Sequence, residues 1–304
     1  MNTRYQQIID INHIASYAIN EQIDDMLALG QSENIKPAAQ DDKRNLLLAI
    51  DVQNDFMEGI GSLAVQGSRA DVQRLTQWMY HNMASLTQII CSLDCHSMMQ
   101  IFHPVWWVDQ EGNHPAPFTI ITYEDVVQGI WVAANGGNQR SLEYLQNLET
   151  DYKKKLCIWP YHCLEGTAGA KLESQFTKML YFHAAARSTA PQLIYKGQNP
   201  YSEMYGIIKA EYDRDQYINY EVLNSVNQFD AIYIAGQASS HCVLASVTQI
   251  LEYFSDNKEL TSRITLLEDC MSPIGGFEDS TRQQFEVLRK RYGIHIRKSI
   301  DIVL

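Results

Sequence analysis

Six short, mainly apolar segments, at residues 46–50, 88–93, 192–195, 231–235, 263–267 and 294–296, constrain this chain most. Each is too short for a buried helix and rich in Ile, Leu or Tyr. Between most of them lie stretches with apolar residues at helical spacing, at 70–86, 172–186, 216–226, 243–254 and 280–292. Strands that are apolar along their length need cover on both faces. The alternation therefore predicts an α/β fold, a parallel six-stranded sheet between helical layers. Sites in such sheets gather outside the carboxyl ends of the strands.

Two regions fall outside this rhythm. Residues 1–44 are polar, with Ile8, Ile9, Ile11, Ile14, Tyr17 and Ile23 at loosely helical spacing. They read as a helical appendage that packs on the body or on a partner subunit, with 31–43 as a polar linker to the main domain, 45–304. Residues 104–155, with Trp106, Trp107 and Trp131, are too long for a bare loop and read as a functional insertion or lid. A formal net charge of −12, from 24 basic and 36 acidic residues, argues against a nucleic-acid or anionic-membrane partner. The six cysteines (91, 95, 157, 163, 242 and 270) form no CxxC pair and do not look like a secreted disulfide scaffold. The beginning of the chain lacks a signal-peptide pattern, and no stretch approaches the roughly 18 apolar residues of a membrane span. A reducing cytoplasm is the expected compartment.

The strand ends carry the chemistry. Cys242 lies between the segment 231–235 and the helical stretch 243–254, near a helix N-terminus. Unpaired N–H groups and the helix dipole there favour a thiolate, which turns a buried thiol into a nucleophile. Asp51, directly after the first strand, is placed to exchange a proton with that thiol; Asn54 and Asp55 beside it also suit a turn. Asp94 and His96, after the second strand, are two apart on an extended segment and can share a metal such as Zn, Fe or Mn. His162 is a third candidate ligand, and His103 and His114, each before a proline, are candidates for a fourth. Lys196, ending the strand 192–195, would stabilise a neighbouring carboxylate and thiolate.

In order along the chain stand Asp51-Val52-Gln53-Asn54-Asp55-Phe56, Trp159-Pro160-Tyr161-His162-Cys163-Leu164-Glu165-Gly166-Thr167-Ala168-Gly169-Ala170, Lys196-Gly197 and Gly236-Gln237-Ala238-Ser239-Ser240-His241-Cys242-Val243. Together they resemble the motifs of the cysteine-hydrolase, isochorismatase-like superfamily that includes nicotinamidases. The resemblance spans roughly residues 45–300. It implies a three-layer αβα sandwich with a mostly parallel sheet, and a triad of Asp51, Lys196 and Cys242. It also implies an oxyanion hole at the N–H groups of Ala238 and Cys242, and a cis peptide between Gln237 and Ala238. Asp94, His96 and His162 match its metal positions. Phe56 and Trp159 match its ring-holding aromatics, and Gln237 is counted with them as a substrate contact. Members often assemble as homo-oligomers, and the appendage is a candidate interface.

Two departures stand out. The segment Asp94-Cys95-His96-Ser97-Met98-Met99-Gln100-Ile101-Phe102-His103 has Gln100 where nicotinamidases usually have a second His, and His103 lies three residues later. The insertion is also longer than usual. The implied activity is a metal-containing amidohydrolase that releases ammonia from a small aromatic or heteroaromatic carboxamide through a Cys242 thioester. Nicotinamide leads, which would place the protein in NAD metabolism. Two rivals are a cysteine amidase for a carbamoyl or ureido substrate and a non-catalytic scaffold on the same fold. Oxidant sensing by a low-pKa thiol is a further option.

Overall fold

The computed structural model describes residues 1–17, 23–151 and 153–304. Its central sheet comprises β1 (Asn45–Ile50), β2 (Gln88–Asp94), β3 (Gln192–Lys196), β4 (Ala231–Gly236), β5 (Ile264–Leu267) and β6 (His295–Arg297). The spatial order is β6-β5-β4-β1-β2-β3, and every pairing is parallel. The register fixes the site: Ile50 lies opposite Gly236, and Asp94 opposite Lys196. The turns after β1, β2, β3 and β4 therefore open onto one edge.

The principal helices are α1 (Ile23–Gln31), α2 (Ser68–His81), α3 (Asn138–Thr150), α4 (Ser174–Arg187), α5 (Tyr220–Val226), α6 (Leu244–Tyr253) and α7 (Glu278–Tyr292). Side chains alternate across β1 as a strand requires. Leu47 and Ala49 join a core with Leu75 and Met79 of α2 and Phe176 and Phe182 of α4. Leu46, Leu48 and Ile50 face Val222 of α5, Val247 of α6 and Leu288 of α7. Each Leu or Ile buried this way contributes about 1.5–3 kcal/mol. The result is the expected three-layer α/β/α arrangement, with a sheet that is parallel throughout. Two helices are shorter than their spacing predicts: α2 ends at His81 and α5 begins at Tyr220.

The N-terminal region packs on the body. Ile8, Ile9, Ile14 and Met26 are buried in the α2–α4 core, whereas Ile11 and Tyr17 are exposed. Residues 18–22 of the appendage lie outside the described residues. The stretch 31–43 is more than a polar linker. Buried Glu33 accepts the N–H groups of Asn2 and Thr3 at 2.7 and 2.6 Å. Asp41 meets the fully buried Arg187 of α4 at 2.5 Å. A guanidinium out of water needs an anion, and this segment supplies it.

The insertion builds a third core. Trp107–Val108 pairs antiparallel with Val132–Ala133, and Ile120–Ile121 with Leu156–Cys157. Trp106, Trp107, Ile121, Tyr144, Leu145 and Leu148 fill the space between these pairs and α3. The Trp106 and Trp107 indoles donate to Ser141 Oγ at 3.1 Å and Ile101 O at 2.6 Å. These two tryptophans are structural. Among the described residues, no helix is long and apolar enough to cross a membrane.

Candidate active site

Asp51 follows β1 with a left-handed backbone, φ 47°. Its N–H donates to Ser92 O and Ser92 Oγ, and Ser92 Oγ donates back to Asp51 Oδ1 at 2.6 Å. The neighbouring strand must approach closely here. A Cβ on Gly236 would stand 1.9 Å from Ile50 O, so only glycine fits. The Gln237–Ala238 peptide is cis. The chain then makes a π-helical turn, Ser239–Val243, before α6. Such wide turns are frequent at functional sites.

Lys196 brings the parts together. Its Nζ lies 2.9 Å from Asp51 Oδ2, 2.5 Å from Asp94 Oδ1 and 3.7 Å from Cys242 Sγ, and donates to Met204 O at 3.2 Å. The Asp51 Oδ2 contact is an ion pair without hydrogen-bond alignment, which leaves that oxygen's lone pairs unfilled. All four side chains are buried. Burial disfavours the ammonium, but the two carboxylates outweigh it and hold Lys196 well above its usual value. Burial also opposes charge on Asp94, yet Lys196 and His96 keep that carboxyl below the ordinary range. Burial raises Asp51, with Lys196 offsetting part of the effect.

The thiol differs from expectation. Burial, with Asp51 and Asp94 nearby, pushes Cys242 well above its usual value despite Lys196. The free site holds a thiol beside a base. Among the described residues, the N–H group of Ala238 has no protein acceptor, as an oxyanion hole requires.

A cluster of candidate metal ligands adjoins these side chains. Asp94, His96 and His162 each offer a donor atom within 4.8 Å of the others. His96 Nδ1 lies 3.0 Å from Gly197 O, His162 Nδ1 2.8 Å from Pro160 O, and His103 Nδ1 3.1 Å from Met98 O. A carbonyl only accepts, so each Nδ1 carries a proton and Nε2 is the atom left for a metal, with His96 Nε2 3.5 Å from Asp94 Oδ2. His103 Nε2 is buried without a partner, and the ring centroid is 6.0 Å from those of both His96 and His162. Burial, reinforced by His96, holds His162 down at about 3 and His103 at about 4, so both stay neutral. This donor set fits a divalent metal. Gln100 plays another part: its amide donates to Gly197 O and Asn199 O and pins the turn after Lys196.

Two expectations fail. His114 is exposed, hydrogen-bonded to Trp107 O, and away from the cluster. Gln237 does not face substrate. Its amide donates to Asp71 Oδ2 at 2.9 Å and accepts from Ser272 N–H, because the turn directs the side chain under the sheet edge. A small, half-open pocket lies above Cys242. Phe56 and Trp159 line it. Phe102, Tyr205, His241 and Ile274 also line it, and the motif reading missed them. His241 stood inside a recognised motif without an assigned role. Tyr205 lies in an irregular stretch with no periodic signal.

No protein-family model matches the chain. The nicotinamidase of Saccharomyces cerevisiae is 22% identical over 233 residues, 75% of this chain and 88% of the yeast protein. The structure of yeast nicotinamidase bound to the inhibitor nicotinaldehyde superposes with a TM-score of 0.59 at 19% identity, covering 84% of this chain and 99% of that one. An Acinetobacter baumanii nicotinamidase/pyrazinamidase gives 0.57 at 19%, covering 86% and 99%. The L. infantum PnC1 in complex with nicotinate gives 0.53 at 16%, covering 86% and 96%. At these identities the likeness establishes a shared fold.

Proposed function

From the premise that the chain has the isochorismatase-like fold of the nicotinamidases, we propose that it is a cysteine amidohydrolase. It releases ammonia from a small aromatic or heteroaromatic carboxamide, nicotinamide foremost. The observation that carries this reading is the convergence of Asp51, Lys196 and Cys242 under an aromatic pocket. A flat ring suits Phe56 and Trp159 better than a ureido chain would. The intact triad speaks against a scaffold.

The protonation states define the steps. Asp51 Oδ2 takes the thiol proton as Cys242 Sγ attacks the amide carbon. The carbonyl π electrons move to oxygen, held by the Ala238 and Cys242 N–H groups. Asp51 gives its proton to the departing nitrogen, the C–N bond breaks, and ammonia leaves a thioester. A water then loses a proton to Asp51 and adds to the thioester carbon. Collapse breaks the C–S bond, frees the carboxylic acid product, and Cys242 recovers its proton. Lys196 stays charged throughout, so that Asp51 and the developing sulfur anion share a cation.

Asp94, His96 and His162, with His103 beside them, would hold a divalent metal, zinc by preference over iron or manganese. Bound there, it supplies a Lewis acid that anchors a ring nitrogen of the substrate. In this reading the protein acts alone on a small molecule, in the cytoplasm, and homo-oligomer formation remains a proposal carried by family habit. The deciding experiment is ammonia release from nicotinamide by the wild type and Cys242→Ala. Loss of turnover in the variant is expected; wild-type rates in it would remove the mechanism.

A further inference from the structure

Glu203 lies in the irregular stretch between β3 and α5, and its side chain is buried at 3% exposure. Three donors from separate segments converge on its carboxyl group. Tyr144 OH of α3 donates to Oε2 at 2.9 Å, while Trp159 Nε1 and Tyr205 OH donate to Oε1 at 3.1 and 2.5 Å. The Glu203 N–H closes the ring by donating to Tyr144 OH at 3.2 Å, and Trp159 Nε1 also reaches Tyr205 OH at 3.1 Å. The next residue, Met204, accepts from Lys196 Nζ through its carbonyl. One short segment thus supports the triad lysine, walls the pocket and grips the insertion.

We propose that Glu203 is a positioning residue. Its carboxylate locks Trp159 and Tyr205 into the orientation that shapes the ring slot, and ties that slot to the insertion through Tyr144. The assignment rests on the carboxamide reading only in taking Trp159 as the wall of the ring slot. A carboxylate has acceptor sites for all three donors. Once protonated, its own O–H becomes a donor in a cluster that already holds three, and one partner must give way.

The clamp is therefore sensitive to pH. Burial, reinforced by Glu211 and partly offset by the Tyr205 and Trp159 hydrogen bonds, pushes the Glu203 carboxyl up to about 7. The other groups facing it are few. Glu211 is paired with Lys154 at 2.5 Å, and its N–H donates to Glu203 O. The Lys154 ammonium also sits 5.6 Å from the Tyr205 ring. The Cys157 thiol is pushed up by burial to about 11, and the Tyr144 and Tyr205 hydroxyls higher still by burial and Glu203. His241, against both Trp159 and Tyr205, is held down by burial at about 4.

The test reads the Trp159 indole N–H resonance in protein labelled with ¹⁵N-tryptophan, assigned by its loss in Trp159→Phe. Between about pH 5.5 and about 8.5 the wild-type signal should move with a midpoint near neutrality. In Glu203→Gln, which keeps the side-chain length and has no titrating group, it should stay fixed. In Tyr144→Phe the midpoint should rise, because the carboxylate loses one donor. For the amidase assay at the upper pH, Glu203→Gln should raise KM about fivefold with kcat within about twofold, as charge-assisted bonds become neutral ones. A wild-type indole signal that does not titrate, or the same titration in Glu203→Gln, overturns the assignment. Titration without ammonia release from any carboxamide would discard the carboxamide reading and leave the clamp standing.

Discussion

Replacing Gly197 by Ala isolates what the turn after Lys196 contributes to the candidate site. Gly197 has φ 77°, and an added Cβ would stand 2.4 Å from His96 Cε1, 2.8 Å from His96 Nδ1 and 3.3 Å from Asp94 Oδ1. The left-handed conformation alone costs an L-residue about 1–2 kcal/mol. Pushing the buried His96 ring aside adds about 1–3 kcal/mol of overpacking. The sum is about 2–5 kcal/mol of destabilisation, a melting-temperature drop of about 4–10 °C at about 2 °C per kcal/mol for a chain of this size. The ring cannot retreat without losing its Nδ1–H bond to Gly197 O, so zinc affinity should fall by about 10–100-fold. Urea unfolding gives the first quantity, and competition for zinc against a chromophoric chelator gives the second. A Gly197→Ala protein with wild-type stability and wild-type zinc affinity would refute the geometry on which the metal arrangement rests.

Asp51→Asn keeps an oxygen for Ser92 but no base, so ammonia release should drop by about 10²–10⁴-fold; a loss under fivefold would remove Asp51 from proton transfer. His103→Ala should weaken zinc binding by about tenfold or more while His114→Ala leaves it unchanged, as measured by the same chelator competition; equal effects would dissolve the distinction between the two. Peptide mapping after iodoacetamide treatment should find Cys242 slow to alkylate at neutral pH in the unliganded protein, since the thiol form prevails; labelling faster than the more exposed Cys95 would contradict this. Stability should fall in acid because of His183, which burial holds at about 4 against an unfolded value near 6.5. Between these values the unfolded chain binds the extra proton, so stability is lost as pH falls from about 6.5 to about 4, by about 3 kcal/mol in total. Urea titrations across that range should show a shallower acid slope for His183→Gln, and an identical slope would exclude His183 as the source.

The sheet was legible because every strand but β6 is apolar over most of its length, which leaves few alternatives to a covered parallel arrangement. The convergence of Asp51, Lys196 and Cys242 was legible because each ends or follows such a strand. Properties that depend on three-dimensional neighbours escaped. The direction of the Cys242 shift turns on burial, with two carboxylates lying near one ammonium, and no local spacing encodes either. Gln237 stood in the right motif, but the turn aims its amide at Asp71. Trp106 and Trp107 drew attention as lid residues because an insertion core leaves the same aromatic signature as a binding surface. Glu203 and Tyr205 carried no signal at all, being single residues in an aperiodic stretch whose partners lie 44–59 positions away in the Trp159 and Tyr144 bonds.

The strand order also governs how the molecule comes into being. β1 lies between β2 and β4, so its second flank stays open until residue 236 has been synthesised. Through most of translation the nascent chain presents a bare, apolar sheet edge, the kind of surface that invites mispairing and chaperone capture. Pairings this distant along the chain make for slow folding. If Cys242 is the nucleophile proposed above, its reactivity appears only after the strand that closes this gap, when four of the six strands exist, and shorter chains are exposed to aggregation without a misplaced active sulfur.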